Sequence, residues 1–154
     1  MTELYPFLAV RDTEAASGFY AEAFGATVVE RFGPVRVLEI EGCPVGLAPE
    51  APELGTPAPE TVGATTVRVS LHVEDPDAVA ARAVAAGATL LFPVADQDYG
   101  MRQGQIVDPF GHHWLIGTRL KQKEPPGGGS FEKKSAATYS PGRLPSEYHR
   151  PWQA

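Results

Sequence analysis

The sequence predicts an α+β fold made of two tandem β-α-β-β-β modules. Three observations carry this: an internal repeat, matching helix boundaries in both copies, and three strand-like runs after each helix. The repeat appears when Ala9-Val10-Arg11-Asp12-Thr13-Glu14-Ala15 is set above His72-Val73-Glu74-Asp75-Pro76-Asp77-Ala78. Each stretch reads as a strand end, an Asp, and the start of an Ala-rich helix. The helices close on Gly25-Ala26-Thr27 and Gly87-Ala88-Thr89, so the copies are offset by 63 residues at the Asp and 62 at the Gly. That period is too long for a solenoid unit and suits a duplicated module.

Local chemistry supports both copies. Asp12 or Thr13 can cap the first helix; Asp75 caps the second, with Pro76 at its first position. Ala16, Phe19, Ala23 and Phe24 recur at helical spacing in the first helix, and Val79, Ala83 and Ala86 in the second. Gly25 and Gly87 are expected to supply left-handed C-terminal caps. The strand-like runs are Ala26–Phe32, Val35–Glu41 and Pro44–Ala48 in the first copy. In the second they are Thr89–Ala95, Met101–Asp108 and His112–Thr118.

These elements divide the chain into a first module over residues 1–48, a Pro- and Glu-rich linker over 49–65, a second module over 66–120, and a Pro/Gly-rich basic tail over 121–154. The tail holds Pro125-Pro126 and Gly127-Gly128-Gly129 with few aliphatic residues, so its composition does not support a core of its own. Its aromatics Phe131, Tyr139, Tyr148 and Trp152 lead us to expect docking on the acidic body.

Charge and composition exclude several function classes. The chain of 154 residues has a net charge of −6. Residues 1–120 hold 7 Arg, no Lys and 16 Asp/Glu, a balance of −9, while the tail carries +3. An acidic body argues against nucleic acid, which needs a concentrated positive face. No run of 18 apolar residues occurs, so no membrane span is expected. Met1-Thr2-Glu3-Leu4 lacks the features of a secretory signal, and a cytoplasmic protein is the expectation. The single cysteine, Cys43, excludes an intramolecular disulfide and any multi-Cys zinc site. There is no G-x-S-x-G elbow and no phosphate loop.

With the paired modules, the helix Phe19-Tyr20-Ala21-Glu22-Ala23-Phe24-Gly25 and the stretch Val107-Asp108-Pro109-Phe110-Gly111-His112 make the sequence resemble the vicinal oxygen chelate superfamily. That group contains glyoxalases, extradiol dioxygenases and bleomycin-resistance proteins. The run Asp96-Gln97-Asp98-Tyr99-Gly100-Met101-Arg102-Gln103-Gly104 is similar to a glyoxalase-like subgroup. The resemblance covers roughly residues 4–120 and implies curved mixed sheets that enclose a cavity. It also implies a metal held by His or Glu from the first and last strand of each module. Here those positions are Tyr5, Arg68, Leu115 and the stretch Val45–Ala48, none of which offers a carboxylate or imidazole. A fixed guanidinium at such a point repels a cation. No metal and no other cofactor is therefore expected.

Strand alternation gives the expected ligand-binding wall. The first strand contributes Tyr5, Phe7 and Ala9, and its counterpart contributes Arg68, Ser70 and His72. Pairing Asp108 with Gly111 places Arg102 and Gly104 on the face of Leu115 and Gly117, with Tyr99 at the mouth. His113 should face the cavity and His112 the helices. His72 and His113 are expected about six residues apart in register, roughly 20 Å, too far for one metal. The alternative expectation is that Arg68 and Arg102 pair with Glu39, Asp96 or Asp98 and act structurally.

An aromatic wall with guanidiniums suits a flat or amphiphilic organic ligand. The favoured reading is a homodimeric small-molecule-binding protein, similar to the bleomycin-resistance branch, that sequesters an aromatic or anionic compound such as an antibiotic without metal. The alternative is a lyase, isomerase or oxygenase, with displaced metal ligands or with His72 or Tyr99 as acid-base group. An interaction module whose cavity is filled by its own side chains is a third reading.

Overall fold

A computed structural model describes residues 1–121. The first module runs β1 (Phe7–Val10), α1 (Thr13–Phe24), β2 (Thr27–Phe32), β3 (Val35–Ile40) and β4 (Cys43–Pro49). A 3₁₀ turn (Pro52–Leu54) and a short helix α2 (Pro59–Val62) follow. The second module runs β5 (Arg68–His72), α3 (Pro76–Ala85), β6 (Thr89–Asp96), β7 (Met101–Val107) and β8 (His113–Arg119). The fold is α+β, with two four-stranded mixed sheets ordered β1-β4-β3-β2 and β5-β8-β7-β6. In each sheet the first and last strands of the module run parallel and the remaining pairs are antiparallel.

The helices start and stop where their side chains dictate. Asp12 Oδ1 accepts from the backbone N–H of Glu14 and Ala15, each at 3.0 Å, so Asp12 rather than Thr13 is the cap. Thr13 instead donates its hydroxyl to the Pro34 carbonyl at 2.7 Å, tying the helix start to the β2–β3 turn. Asp75 Oδ1 accepts from Ala78 N, and Pro76 sits where a missing N–H costs nothing. Gly25 closes α1 in the left-handed region at φ 69°. The second copy differs: Ala86 closes α3 in right-handed geometry, and Gly87 adopts φ 122° one residue later.

Both sheets present alternate residues to the helices, and the covered faces share one core. Leu8, Val10, Leu38, Ile40, Val45 and Leu47 meet Ile106, Trp114 and Ile116 around α1 and α3. At the centre Phe24 lies 4.7 Å from the Trp114 ring and Tyr20 lies 5.4 Å from it. A fully buried aromatic contributes about 1.5–3 kcal/mol, so this cluster is a large share of what joins the modules. Polar contacts also cross between them: Arg82 Nε donates to the Ala23 carbonyl at 2.9 Å, and His112 Nε2 donates to the Ala9 carbonyl at 2.9 Å.

The connection between modules is more ordered than its Pro-rich composition implies. The Glu50 carboxylate accepts from Thr61 Oγ1 at 2.6 Å and from Ala58 N at 3.0 Å, and Arg11 lies 3.5 Å away. These contacts, the Thr61 hydroxyl foremost, hold the Glu50 carboxyl below the usual carboxylate range. Ala58 is fully buried beneath this turn. No helix among the described residues is long and apolar enough to cross a membrane. The expectation of a docked tail falls on residues outside those described.

Candidate functional site

Because the helix-covered faces are committed to the core, chemistry must come from the opposite, open faces. On the first sheet Phe7, Gly46, Val37 and Glu30 share one row across the strands. The Phe7 ring lies flat on Gly46: a Cβ there would come within 2.5 Å of ring atoms. Phe7 still keeps 54% of its surface exposed. Tyr5 precedes β1, and its ring centroid is 5.6 Å from that of Phe7. This face is apolar, with carboxylates at Glu30 and Glu39.

The open face of the second sheet is a grid. Arg68, His113 and Val107 form one row; Ser70, Leu115 and Gln105 the next; His72, Gly117 and Gln103 the third. Arg119 and Met101 continue it. The structure thus brings Arg68, Ser70, His72, His113 and Leu115 onto one face. His72 and His113 are separated by four residues of register rather than six, since His72 pairs with Gly117 and His113 with Arg68. At about 3.3 Å per residue that is still roughly 13 Å.

Arg102 and Gly104 do not belong to this face, which corrects the sequence expectation. Arg102 pairs with Thr118 and Gly104 with Ile116, on the helix side. The Arg102 guanidinium is held by Asp77 at the start of α3, at 2.7 Å, and by Asp96 at 2.8 Å. These two carboxylates raise its pKa further above the ordinary arginine value. The physical cause of the error is one residue of register. Asp108 Oδ1 accepts from Phe110 N and His112 N, both at 2.9 Å, and Asp108 N donates to the His112 carbonyl. This side-chain-closed turn makes Val107 and His113 the last pair, whereas pairing Asp108 with Gly111 shifts the ladder by one. In a strand a one-residue slip exchanges the two faces. Met101, Gln103, Gln105 and Val107 therefore line the open face, and alternation alone missed them; the Asp108 turn was the signal that could have found them.

Tyr99, Gln103, Gln105 and His113 are held in place by hydrogen bonds on or beside this face. Tyr99 donates its hydroxyl to Gln103 Oε1 at 3.0 Å, which sets the ring beside the grid with 54% of its surface exposed. Gln97 Nε2 donates to the carbonyls of Gln103 and Ala95, closing the Tyr99 loop. The Gln105 amide nitrogen lies 2.9 Å from His113 Nδ1, so the amide donates and the ring proton sits on Nε2. Burial lowers the His113 pKa; the Arg68 and His112 charges lower it further, while Asp108 opposes them. His113 is consequently neutral at pH 7.

Among the described residues no group of three or more His, Cys, Asp or Glu is placed to hold a metal ion. Tyr5, Arg68 and Leu115 supply no thiolate, imidazole or carboxylate. This donor set does not fit a divalent cation.

Comparison with known proteins bears on the same region. Residues 4–116 match the profile of the Glyoxalase/Bleomycin resistance protein/Dioxygenase superfamily. An uncharacterized protein of Mycobacterium bovis is 38% identical over 128 residues, covering 77% of this chain and 84% of the relative. A family enzyme from Burkholderia phytofirmans superposes with a TM-score of 0.63 at 27% identity, covering 75% of this chain and 97% of its own. A glyoxalase-related enzyme from Fulvimarina pelagi gives a TM-score of 0.61 at 26% identity, covering 77% and 89%.

Proposed function

The chain belongs to the glyoxalase/bleomycin resistance protein/dioxygenase superfamily, and from that premise we propose that it binds a small aromatic or anionic organic molecule, such as an antibiotic, without a metal. The observation that carries this is the open face of the second sheet. Arg68, Ser70, His72 and His113 stand on a floor of Leu115, Val107 and Met101, with Tyr99 alongside. Apolar floor with a few directed donors is the pattern of an organic-ligand site.

The working form is a cytoplasmic homodimer. Each chain leaves two sheet faces open, one bearing Glu30 and Glu39 and the other Arg68 and Arg119. Faces of opposite charge favour the first module of one copy over the second module of another, which makes a walled cavity from two open sheets. The test is a thermal-shift screen of aromatic antibiotics and 2-oxo acids, with metal analysis of protein purified without chelator and sedimentation at micromolar concentration. A stabilising compound, no stoichiometric metal and a dimer are expected. Stoichiometric metal bound by body residues overturns the reading.

A second reading, catalysis, draws support from the enzymes among the structural relatives. His72 or Tyr99 would then serve as the acid-base group, and turnover of a stabilising compound would distinguish it from sequestration.

A further inference from the structure

The arginines are unevenly satisfied, and one corner of the open face stands apart. Arg11, Arg31, Arg36 and Arg102 each meet a carboxylate, and Arg82 donates to a carbonyl. Arg68 and Arg119 have no such partner among the described residues, and of the two only Arg68 sits directly across the ladder from a histidine, His113. Arg68 is solvent-exposed, as is Ser70 one row further along. Gln105, itself buried, fixes the His113 tautomer with its proton on Nε2. The register therefore sets a guanidinium-bearing residue across the ladder from an imidazole N–H, with no carboxylate among the described residues bonded to either.

Resting on the small-molecule reading above, we propose that the Arg68–His113 corner anchors a carboxylate or comparable planar oxyanion of the ligand, with Gln105 as the positioning residue that keeps the His113 Nε2–H available. A guanidinium matches a planar oxyanion through two parallel N–H···O bonds, and charge-assisted bonds of this kind are the strong ones. The rest of the ligand would lie along the Leu115 and Gly117 rows toward Tyr99. Arg119 is not an equivalent anchor: it is six residues along β8 from His113, roughly 20 Å, and has no histidine across from it.

The charges around His113 make the proposal measurable. Arg68 on β5 and the neighbouring His112 disfavour its protonation, and Asp108 in the turn favours it. An oxyanion on Arg68 cancels the larger opposing charge, so binding should raise the His113 pKa and strengthen as pH falls from 7 to 5.5. The experiment is a two-dimensional NMR titration of the full chain with benzoate, and separately with its neutral isostere benzamide, reading backbone amides and the imidazole nitrogens. Benzoate should perturb Arg68, His113 and Leu115 and move the His113 titration upward, with benzamide binding about ten- to a hundredfold more weakly. Arg68→Met should remove the preference for benzoate and raise the His113 pKa in the free protein. Gln105→Met should alter the imidazole tautomer and weaken benzoate binding while Arg68 is unchanged.

Equal responses to benzoate and benzamide on this face overturn the oxyanion anchor but leave small-molecule binding standing. No response of the face to either compound up to its solubility overturns both. If Arg68→Met shifts the dimer equilibrium without changing benzoate preference, the guanidinium serves a partner-chain carboxylate, and the anchor is equally overturned.

Discussion

Tyr20 on α1 donates its hydroxyl to Asp108 in the β7–β8 turn at 2.5 Å, a buried hydrogen bond that crosses from one module to the other. The same Asp108 carboxylate accepts from Trp114 Nε1 at 2.9 Å and from two backbone N–H groups of its own turn. Burial, then the Asp108 charge, pushes the Tyr20 hydroxyl well above its ordinary pKa, so it remains a donor throughout the working range. One carboxylate thus closes the turn that sets the β7–β8 register and fastens that turn to the other module.

Removing one member of this network has a calculable cost. Tyr20→Phe deletes one bond to a charged acceptor and should lower unfolding free energy by about 1.5–3 kcal/mol. Asp108→Ala should cost more, because Tyr20 and Trp114 are both left as buried donors without acceptors, at about 1–3 kcal/mol each. Urea denaturation of the two variants checks the order. A Tyr20→Phe protein as stable as wild type would show that the ring packing, and not the bond, joins the modules.

Arg102→Met should lower the melting temperature and leave ligand affinity on the open face unchanged. The side chain is committed to Asp77 and Asp96 on the helix side. Its hydrogen bond to Asp77 holds that carboxyl below the usual range. A carboxyl lowered on folding stabilises the protein above the unfolded pKa, near 4, and that contribution is lost as pH falls through the lower folded value. The wild-type advantage over the variant should therefore shrink on acidification and in high salt. Lost ligand affinity with an unchanged melting temperature would place the guanidinium in the site instead.

His113 gives the opposite pH signature to an ion-paired histidine. Its folded pKa lies below the ordinary value of about 6.5, so on acidification the unfolded chain takes up the proton first. Stability should fall as pH drops below about 6.5 and level off once the folded form also protonates. Melting curves between pH 7.5 and 5, compared with His113→Gln, isolate the effect. The variant should show the flatter profile, and identical profiles would assign the pH dependence to another group.

The division into two modules was legible because helix caps and C-terminal glycines are local signals. Asp12, Asp75 and Gly25 act within a few residues of where they stand, and the structure uses them as read. Faces were legible only where the register was. Arg68, Ser70 and His72 follow from alternation along one strand, whereas Arg102 and Gly104 depended on a turn whose length Asp108 sets through its side chain. Gln103 and Gln105 escaped notice for the same reason. The Tyr20–Asp108 bond joins residues 88 positions apart, and no local pattern encodes it.

Gly117 supplies the last test, because it is the one place on the second open face where a side chain is missing between two polar neighbours. It lies in the row between His72 and Gln103. A Cβ there would stand 3.0 Å from the Arg102 carbonyl and 3.1 Å from Gln103 Cβ, so a methyl group needs only a small local adjustment. A larger side chain would project from the open face past Gln103 and occupy the floor on which a flat ligand must lie. Gly117→Ala should therefore lower the melting temperature slightly, and Gly117→Val should weaken binding of any stabilising compound by about tenfold or more while the protein still folds, since one lost or blocked apolar contact is worth about 1–3 kcal/mol. Gly46→Ala serves as the comparison on the first sheet, where the added Cβ meets the Phe7 ring and can displace it toward solvent. Calorimetric affinities measured beside melting temperatures separate the two effects. If Gly117→Val binds as tightly as wild type, the ligand lies elsewhere than on the Leu115 and Gly117 rows.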